Sequence, residues 1–486
     1  MGVLARTNCA IRREEGEFMP ESTRRDFLRL AAAASLAASN GRLLWGSNAP
    51  KTQAWVTSKD RKLEEVKLPE WKNVSGETPT GIVLDPTKRY QPVLGFGAAF
   101  TDASCYILSQ LDAEKRAALL AELFGPDGLR LSVCRTCIGA SDYSRFAYSY
   151  DDTIDADPDL VHFSIDHDRE YILPTLRAAR KINPDLFLFA CPWSPPGWMK
   201  ANGSLLGGSM RKKYMPAYAQ YFVKFLEGYL KEGVRVQAVT VQNEVDTDQD
   251  GRMPAALWGQ EYEVEFVKKY LGSALEQASL DTKIWILDHN YNLWGRVLDE
   301  LNDPDFSKYV DGVAWHAYAG TPDAMTRVHE AFPAKNTYWT EGGPNYRSFE
   351  YATDWVRWSR TFSGILKNWS QCIVGWNLAL DEQGRPNIGP AFCGGLVTVD
   401  SQTHAVTRSG QYWAFAHYSK HVQRGAQVIS SVSQMTEIDH VAFENPDGTH
   451  VLVITNPGIA QKIVCQNQGQ ALELTLEQES ITSLHW

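Results

Sequence analysis

The sequence predicts an α/β fold, a (β/α)8 TIM barrel with a β-sandwich domain formed from both chain ends, and three observations carry that prediction. Between residues 92 and 420, eight short apolar runs rich in β-branched residues alternate with amphipathic helical windows, the rhythm of parallel strands joined by crossover helices. On either side of this region the texture changes to short strands, interrupted by polar residues and separated by turns. Two of the eight runs close on a glutamate: Val239-Thr240-Val241-Gln242-Asn243-Glu244 and Thr337-Tyr338-Trp339-Thr340-Glu341, the latter followed by Gly342-Gly343. Counted along the barrel, Glu244 follows the fourth strand and Glu341 the seventh. Both therefore reach the carboxyl-terminal rim, where such barrels keep their chemistry.

Residues 1–45 read as a leader. Thr23-Arg24-Arg25-Asp26-Phe27-Leu28-Arg29 precedes an Ala/Leu core over residues 30–38, the pattern of a twin-arginine export signal. An amphipathic tail without export function is the alternative. The core is too short to anchor stably in a bilayer. The long, charged segment before it offers Met19 as a second start, and cleavage is expected between Ala37 and Trp45. Export by this route delivers a folded protein to the periplasm or beyond the cell.

Residues 46–91 read as the first part of the sandwich, with Gly81-Ile82-Val83-Leu84 as a strand and Asp85-Pro86 as its turn. The barrel, residues 92–420, is expected to place strands at 93–100, 129–138, 186–190, 237–242, 283–287, 312–315, 337–340 and 372–378. Helices are expected at 113–124, 168–182, 214–232 and 257–276. Residues 421–486 complete the sandwich with strands at 428–432, 440–443, 450–454 and 471–476, and a turn at Asn445-Pro446-Asp447-Gly448.

A net charge of −10, with no basic run after the leader, argues against a nucleic-acid surface and for a neutral ligand. The 16 Trp and 20 Tyr suit either sugar stacking or core filling. Of eight cysteines, Cys9 lies in the leader, and the remaining odd number is no disulfide framework. Cys134 and Cys137 sit within one strand, where residues three apart face opposite ways, so they read as structural thiols. Whether Cys372 pairs with Cys393 is left open. His289 and His316 lie near strand ends, but no H-x-x-E-H spacing or carboxylate triad accompanies them. They read as polar pocket or core histidines, with no metal and no cofactor expected.

A facing pair of carboxylates is what glycosidic cleavage requires, although either glutamate alone could be a solvated loop residue. A gap of about 5 to 5.5 Å lets one carboxylate attack directly with retention of configuration, whereas roughly 6.5 to 9.5 Å admits a water and gives inversion.

Longer motifs add to this. They are Gly95-Phe96-Gly97-Ala98-Ala99-Phe100-Thr101-Asp102-Ala103, Ser141-Asp142-Tyr143-Ser144, and Ala190-Cys191-Pro192-Trp193-Ser194-Pro195-Pro196-Gly197-Trp198-Met199-Lys200. Gln242-Asn243-Glu244, Trp339-Thr340-Glu341, Gly375-Trp376-Asn377-Leu378-Ala379-Leu380-Asp381 and Gly384-Arg385-Pro386-Asn387 follow in order. With these segments the chain resembles glycoside hydrolase family 30, the glucosylceramidase-like retaining β-glycosidases, along nearly its whole mature length. The resemblance implies a catalytic barrel with a sandwich from both chain ends, Glu244 as acid/base and Glu341 as nucleophile. It implies sugar-binding roles for Asp142, Trp193, Asn243, Trp376 and Asn387, with Arg135 and Tyr318 supporting the nucleophile beside the substrate. In such a site Glu341 has to stay ionised. Glu244 has to hold a proton, and proximity to Glu341 together with aromatic walls is expected to raise its pKa. Asn243 would hydrogen-bond the sugar 2-hydroxyl or, alternatively, cap the following turn.

The sequence departs from the family pattern after Glu244. The usual proline is replaced by Val245 and the acidic loop Asp246-Thr247-Asp248-Gln249-Asp250, on the side expected to meet the leaving group. The implied activity is a secreted retaining β-glycosidase acting on a β-glucoside, a glucosylceramide-like lipid or a β-glucan. Its partner is then a carbohydrate or glycolipid, with no nucleic acid and no stable membrane anchor. An endo-β-1,6-glucanase or xylanase of the same family is the alternative enzyme. A sugar-binding protein on a degenerate barrel is the alternative outside enzymes.

Overall fold

The computed structural model describes residues 52–74 and 81–486, so the leader, with Cys9 and Arg24-Arg25, lies outside the described residues. Four strands open the described chain: β1 (Gln53–Thr57), β2 (Glu64–Val66), β3 (Lys72–Asn73) and β4 (Ile82–Pro92). Eight parallel strands follow and close into a barrel: β5 (Gly95–Phe100), β6 (Val133–Cys137), β7 (Phe187–Cys191), β8 (Ala238–Thr240), β9 (Lys283–Asn290), β10 (Val310–His316), β11 (Asn336–Glu341) and β12 (Ser370–Asn377). Each coincides with one of the eight expected runs. The β12–β5 pairing, Ile373 opposite Phe96 and Val374 opposite Gly97, closes the ring.

Alternation within the strands sets what lies inside. Val133 and Arg135 of β6 point into the barrel, while Cys134 joins the outer apolar layer beneath the helices. The lower half of the interior is filled by Val133, Phe187, Phe189, Ala238, Trp285 and Tyr338, with Trp285 and Tyr338 stacked at 3.9 Å. Polar residues occupy the half above. β5 and β6 approach so closely that a Cβ on Gly97 would sit 1.8 Å from the carbonyl oxygen of Val133, which restricts that position to glycine.

The crossover helices lie where the apolar periodicity places them, Ala113–Phe124 and Met215–Lys231 among them. The expected helix at 257–276 is interrupted by a π-helical turn, Val267–Leu271, between Gln260–Phe266 and Gly272–Gln277. The expected helix at 168–182 is an α-helix over Ile172–Ile182, preceded by a separate 3-10 turn at Asp166–Arg169.

After the barrel come a small sheet of β13 (Ala379–Leu380), β14 (Val397–Val399) and β15 (Val406–Arg408), and the helix Gly410–Ser419. The chain ends in β16 (Gln427–Ser433), β17 (Asp439–Glu444), β18 (His450–Asn456), β19 (Gln461–Asn467), β20 (Gln470–Leu476) and β21 (Ser480–His485). These join the first four strands in one ten-stranded sheet ordered β2-β1-β21-β18-β17-β16-β4-β19-β20-β3. The sheet folds over on a core that includes Ala54, Ile82, Leu452, Ile463, Leu472 and Leu484, giving the sandwich. Two of its strands, β19 and β21, are not among those expected. Asp85-Pro86 does not end a strand either: β4 runs through it, and residues 86–88 bulge out between the pairs Asp85–Ser430 and Arg89–Ile429.

The sandwich is tied to the barrel through the helices Trp355–Leu366 and Gly410–Ser419. Ser359 hydroxyl lies 2.6 Å from that of Thr455, and the buried ring of His417 bridges the hydroxyls of Thr57 and Ser483 at 2.8 Å each. The seven described cysteines are all free thiols, Cys372 and Cys393 included. No helix among the described residues is long and apolar enough to cross a membrane.

Candidate active site

The carboxyl-terminal mouth of the barrel gathers most of the predicted site residues. Arg135, fully buried on β6, donates from Nη1 to Glu341 Oε2 at 2.6 Å and from Nη2 to Asn243 Oδ1 at 2.8 Å and Asp288 Oδ2 at 2.7 Å. Tyr318 hydroxyl donates to the other oxygen of Glu341 at 2.9 Å. Both oxygens of Glu341, the last residue of β11, are thereby fixed.

Glu244 lies beyond β8 with a left-handed backbone (φ 51°) and donates its N–H to the carbonyl of Asp288 at 3.0 Å. A non-glycine residue in that region is uncommon and needs surrounding contacts to hold it there. Gln249, from the acidic loop, donates to Glu244 Oε2 at 2.7 Å. Glu244 Oε1 faces two imidazoles, 3.3 Å from His316 Nδ1 and 3.8 Å from His289 Nδ1. The same His316 Nδ1 is 3.9 Å from Glu341 Oε1, so one ring spans the two glutamates. By the sum of those distances their Oε1 atoms lie no more than about 7.2 Å apart, so the two carboxylates face each other across the mouth of the barrel.

Behind the glutamates sits Asp288, which sequence reasoning passed over. The expected fifth strand stops at Leu287, but β9 continues to Asn290 with a bulge: Ala314 pairs with Leu287 and Trp315 with His289. Leu287 and Asp288 both have positive φ, 71° and 46°. The bulge reverses the alternation, so Leu287 packs in the outer layer and the carboxylate of Asp288 turns into the barrel. There it accepts from Arg135, Thr240 at 2.7 Å and Cys191 at 2.9 Å on Oδ2. Oδ1 accepts from Thr340 at 2.7 Å and lies 3.1 Å from His316 Nε2. A sequence signal existed, since β9 is another apolar run closing on an acid, but period-two alternation assigns Asp288 to the outside.

The electrostatics follow from this packing. Burial alone would raise the carboxyl of Asp288, yet the Arg135 charge and the His316 hydrogen bond hold it well below the usual range. Burial would lower His316, but the charge of Glu341 and hydrogen bonds to Asp288 and Glu244 bring it up to about 9. Glu244 differs from expectation. Burial does push it upward, but the hydrogen bond and charge of His316, with the charges of His289 and Arg135, draw it below its ordinary value. The expected raised pKa is thus reversed by neighbouring cationic groups.

Asp142 is buried with Oδ1 lacking any protein partner, and burial together with the charges of Glu341 and Glu244 pushes its carboxyl well above the usual range. Trp193 and Trp376 stack on each other, 5.0 Å between ring centres, with the Arg135 guanidinium over both at 4.6 and 5.3 Å. Asn387 spends its amide within its own loop, donating to Ala391 carbonyl and accepting from Gly389 N–H. His289 and His316, read from sequence as pocket or core residues, both turn their Nδ1 toward Glu244, and Asp246 Oδ1 lies 2.5 Å from His289 Nε2.

A family model for the glycosyl hydrolase family 30 TIM-barrel domain matches residues 93–422, and one for the glycosyl hydrolase family 30 beta sandwich domain matches residues 425–484. The chain is similar to the endo-1,6-beta-D-glucanase of Neurospora crassa, 33% identical over 405 residues that cover 79% of this chain and 82% of that one. It is also similar to the lysosomal acid glucosylceramidase of Mus musculus, 32% identical over 407 residues covering 79% and 78%. Among solved structures, an endo-beta1,6-glucanase superposes with a TM-score of 0.81 at 30% identity, covering 90% of this chain and 99% of that one.

Proposed function

Because the chain belongs to glycosyl hydrolase family 30, and so is a glycoside hydrolase, we propose that it cleaves a β-1,6-linked glucan by double displacement, with Glu341 as nucleophile and Glu244 as acid/base. The observation that carries the proposal is the pair of rim carboxylates spanned by His316, each held by its own donors. Membership of a hydrolase family sets aside the sugar-binding-protein reading.

In the first step Glu341 attacks the anomeric carbon while the glycosidic oxygen departs with a proton from Glu244. His316 Nδ1 faces Glu244 Oε1 at 3.3 Å, within reach of exchanging that proton with it. Formation of the glycosyl ester removes the charge of Glu341, one of the causes that raises His316. In the second step Glu244 takes a proton from water, which attacks the same carbon and releases Glu341. Asn243, oriented by Arg135, is placed to meet the sugar 2-hydroxyl, and Asp142 offers an unpartnered carboxyl oxygen to another hydroxyl.

The polar loop beside Glu244, with Asp246, Asp248, Gln249 and Asp250, favours a hydroxyl-rich leaving group over the two alkyl chains of ceramide. The glucosylceramidase relatives keep glucosylceramide as the second reading. Arg24-Arg25 before the Ala/Leu core supports export to the periplasm or beyond.

Hydrolysis of β-1,6-gluco-oligosaccharides of increasing length, with proton NMR of the anomer first released, tests this reading. A β anomer and rates that rise with chain length support it. An α anomer overturns double displacement, and turnover of glucosylceramide in micelles with no action on the glucan shifts the substrate to the second reading.

A further inference from the structure

We propose that Glu244 Oε1, His289 Nδ1 and His316 Nδ1 form a binding site for one transition-metal cation of the zinc class, whose occupancy switches the hydrolase off. These three atoms come from the ends of β8, β9 and β10 and lie within 4.8 Å of one another. The carboxylate oxygen is 3.3 Å from one ring nitrogen and 3.8 Å from the other. These two carboxylate–imidazole separations match edges of a tetrahedron whose centre lies about 2.0 to 2.3 Å from its corners, the reach of zinc bonds to imidazole and carboxylate.

The outer contacts are those of a ligand set. Each ring is held from behind by a carboxylate: His316 Nε2 is 3.1 Å from Asp288 Oδ1, and His289 Nε2 is 2.5 Å from Asp246 Oδ1. In metal sites such carboxylates fix ring orientation and leave the other nitrogen free for the ion. Here that other nitrogen is indeed free on one side, because His289 is only 5% exposed and its Nδ1 has no hydrogen-bond partner. This unpaired nitrogen faces Glu244 Oε1 and is open to a ligand placed between them. Gln249 holds Glu244 Oε2, which leaves Oε1 as the oxygen facing the rings. Two imidazoles and a carboxylate suit zinc, and the fourth position in sites of this kind goes to water.

The carboxylate behind His289, that of Asp246, belongs to the acidic loop that follows Glu244. A cation bound to Glu244 Oε1 occupies the carboxylate oxygen that faces the rings and so blocks the proposed general acid. The binding claim stands on geometry alone. The inhibitory claim rests on Glu244 being the proton donor.

Both claims can be read separately on the purified, metal-stripped protein. Cobalt(II) chloride is expected to give the visible absorption of a tetrahedral complex, saturating at one equivalent and displaced by zinc chloride. Zinc should stop hydrolysis of an aryl β-glucoside, and EDTA should restore it. His289→Ala should abolish the cobalt spectrum, and Asp246→Asn, a change on an exposed loop, should weaken binding about 10- to 100-fold. Cys393→Ser should bind as the parent does. A parent protein with no saturable cobalt spectrum, a His289→Ala variant that binds normally, or binding lost in Cys393→Ser would each overturn the site. Binding without inhibition would overturn the switch and count against Glu244 as the acid, while leaving the metal site in place.

Discussion

The backbone N–H of Glu244 donates to the carbonyl of Asp288 at 3.0 Å, and both residues have left-handed backbones, φ 51° and 46°. Two uncommon conformations at the ends of neighbouring strands therefore hold each other. One aims a carboxylate at the rim, and the other aims a carboxylate at the strands beneath it.

Asp288 is the post on which five other barrel strands converge, through Arg135, Cys191, Thr240, His316 and Thr340. Asp288→Asn keeps the shape but removes the charge opposite Arg135. A loss of about 3 kcal/mol in unfolding free energy is expected by denaturant titration, the cost of breaking a buried pair from one side.

Glu341→Gln is expected to cut turnover at least about 10³-fold with unchanged circular dichroism, because the amide cannot replace the carboxylate as the proposed nucleophile. Glu244→Gln should instead lower the rate about 10²- to 10⁴-fold on poor leaving groups, and far less on dinitrophenyl glycosides, which leave without a proton. Equal losses on both substrates would reverse the proposed roles.

Gly97→Ala places a methyl 1.8 Å from the Val133 carbonyl oxygen, on a backbone that closes the barrel between β12 and β6. A destabilisation of about 3 kcal/mol or loss of soluble protein is expected, and a variant of parental melting temperature would refute the close approach.

Burial between two hydroxyls lowers His417 to about 3, and burial likewise lowers His421 and His440 to about 3. A histidine kept neutral in the fold and free to ionise on unfolding contributes stability above its ordinary value near 6.5. That contribution is lost as pH falls from there toward 3. His417→Gln should flatten the slope of unfolding free energy over that window, by on the order of a few kcal/mol in total. An unchanged slope would mean that the ring is already charged in the fold.

The eight barrel strands were legible because each is an apolar run of the right length between amphipathic helices, and the two glutamates because each terminates such a run. Asp288 was not, because a bulge inverts the inward and outward sense that period-two alternation encodes. The direction of the Glu244 shift depends on His289 and His316, which lie far along the chain and meet the carboxylate only after closure. Strands β19 and β21 escaped because Lys462, Gln466 and the Ser/Thr-rich run Ser480-Ile481-Thr482-Ser483 blur the hydrophobic pattern that their pairing partners resolve.

The pairing of β1 with β21, Ala54 opposite Leu484, has a consequence for biosynthesis. No chain that lacks β21 can complete this sheet, so β1 must wait, unpaired on that edge, until residues 480–485 have been made. The sheet's final closure thereby joins segments at nearly the largest separation the described chain allows, a slow kind of contact to make. Deleting residues 481–486 should therefore leave β1 without its partner as well as removing β21.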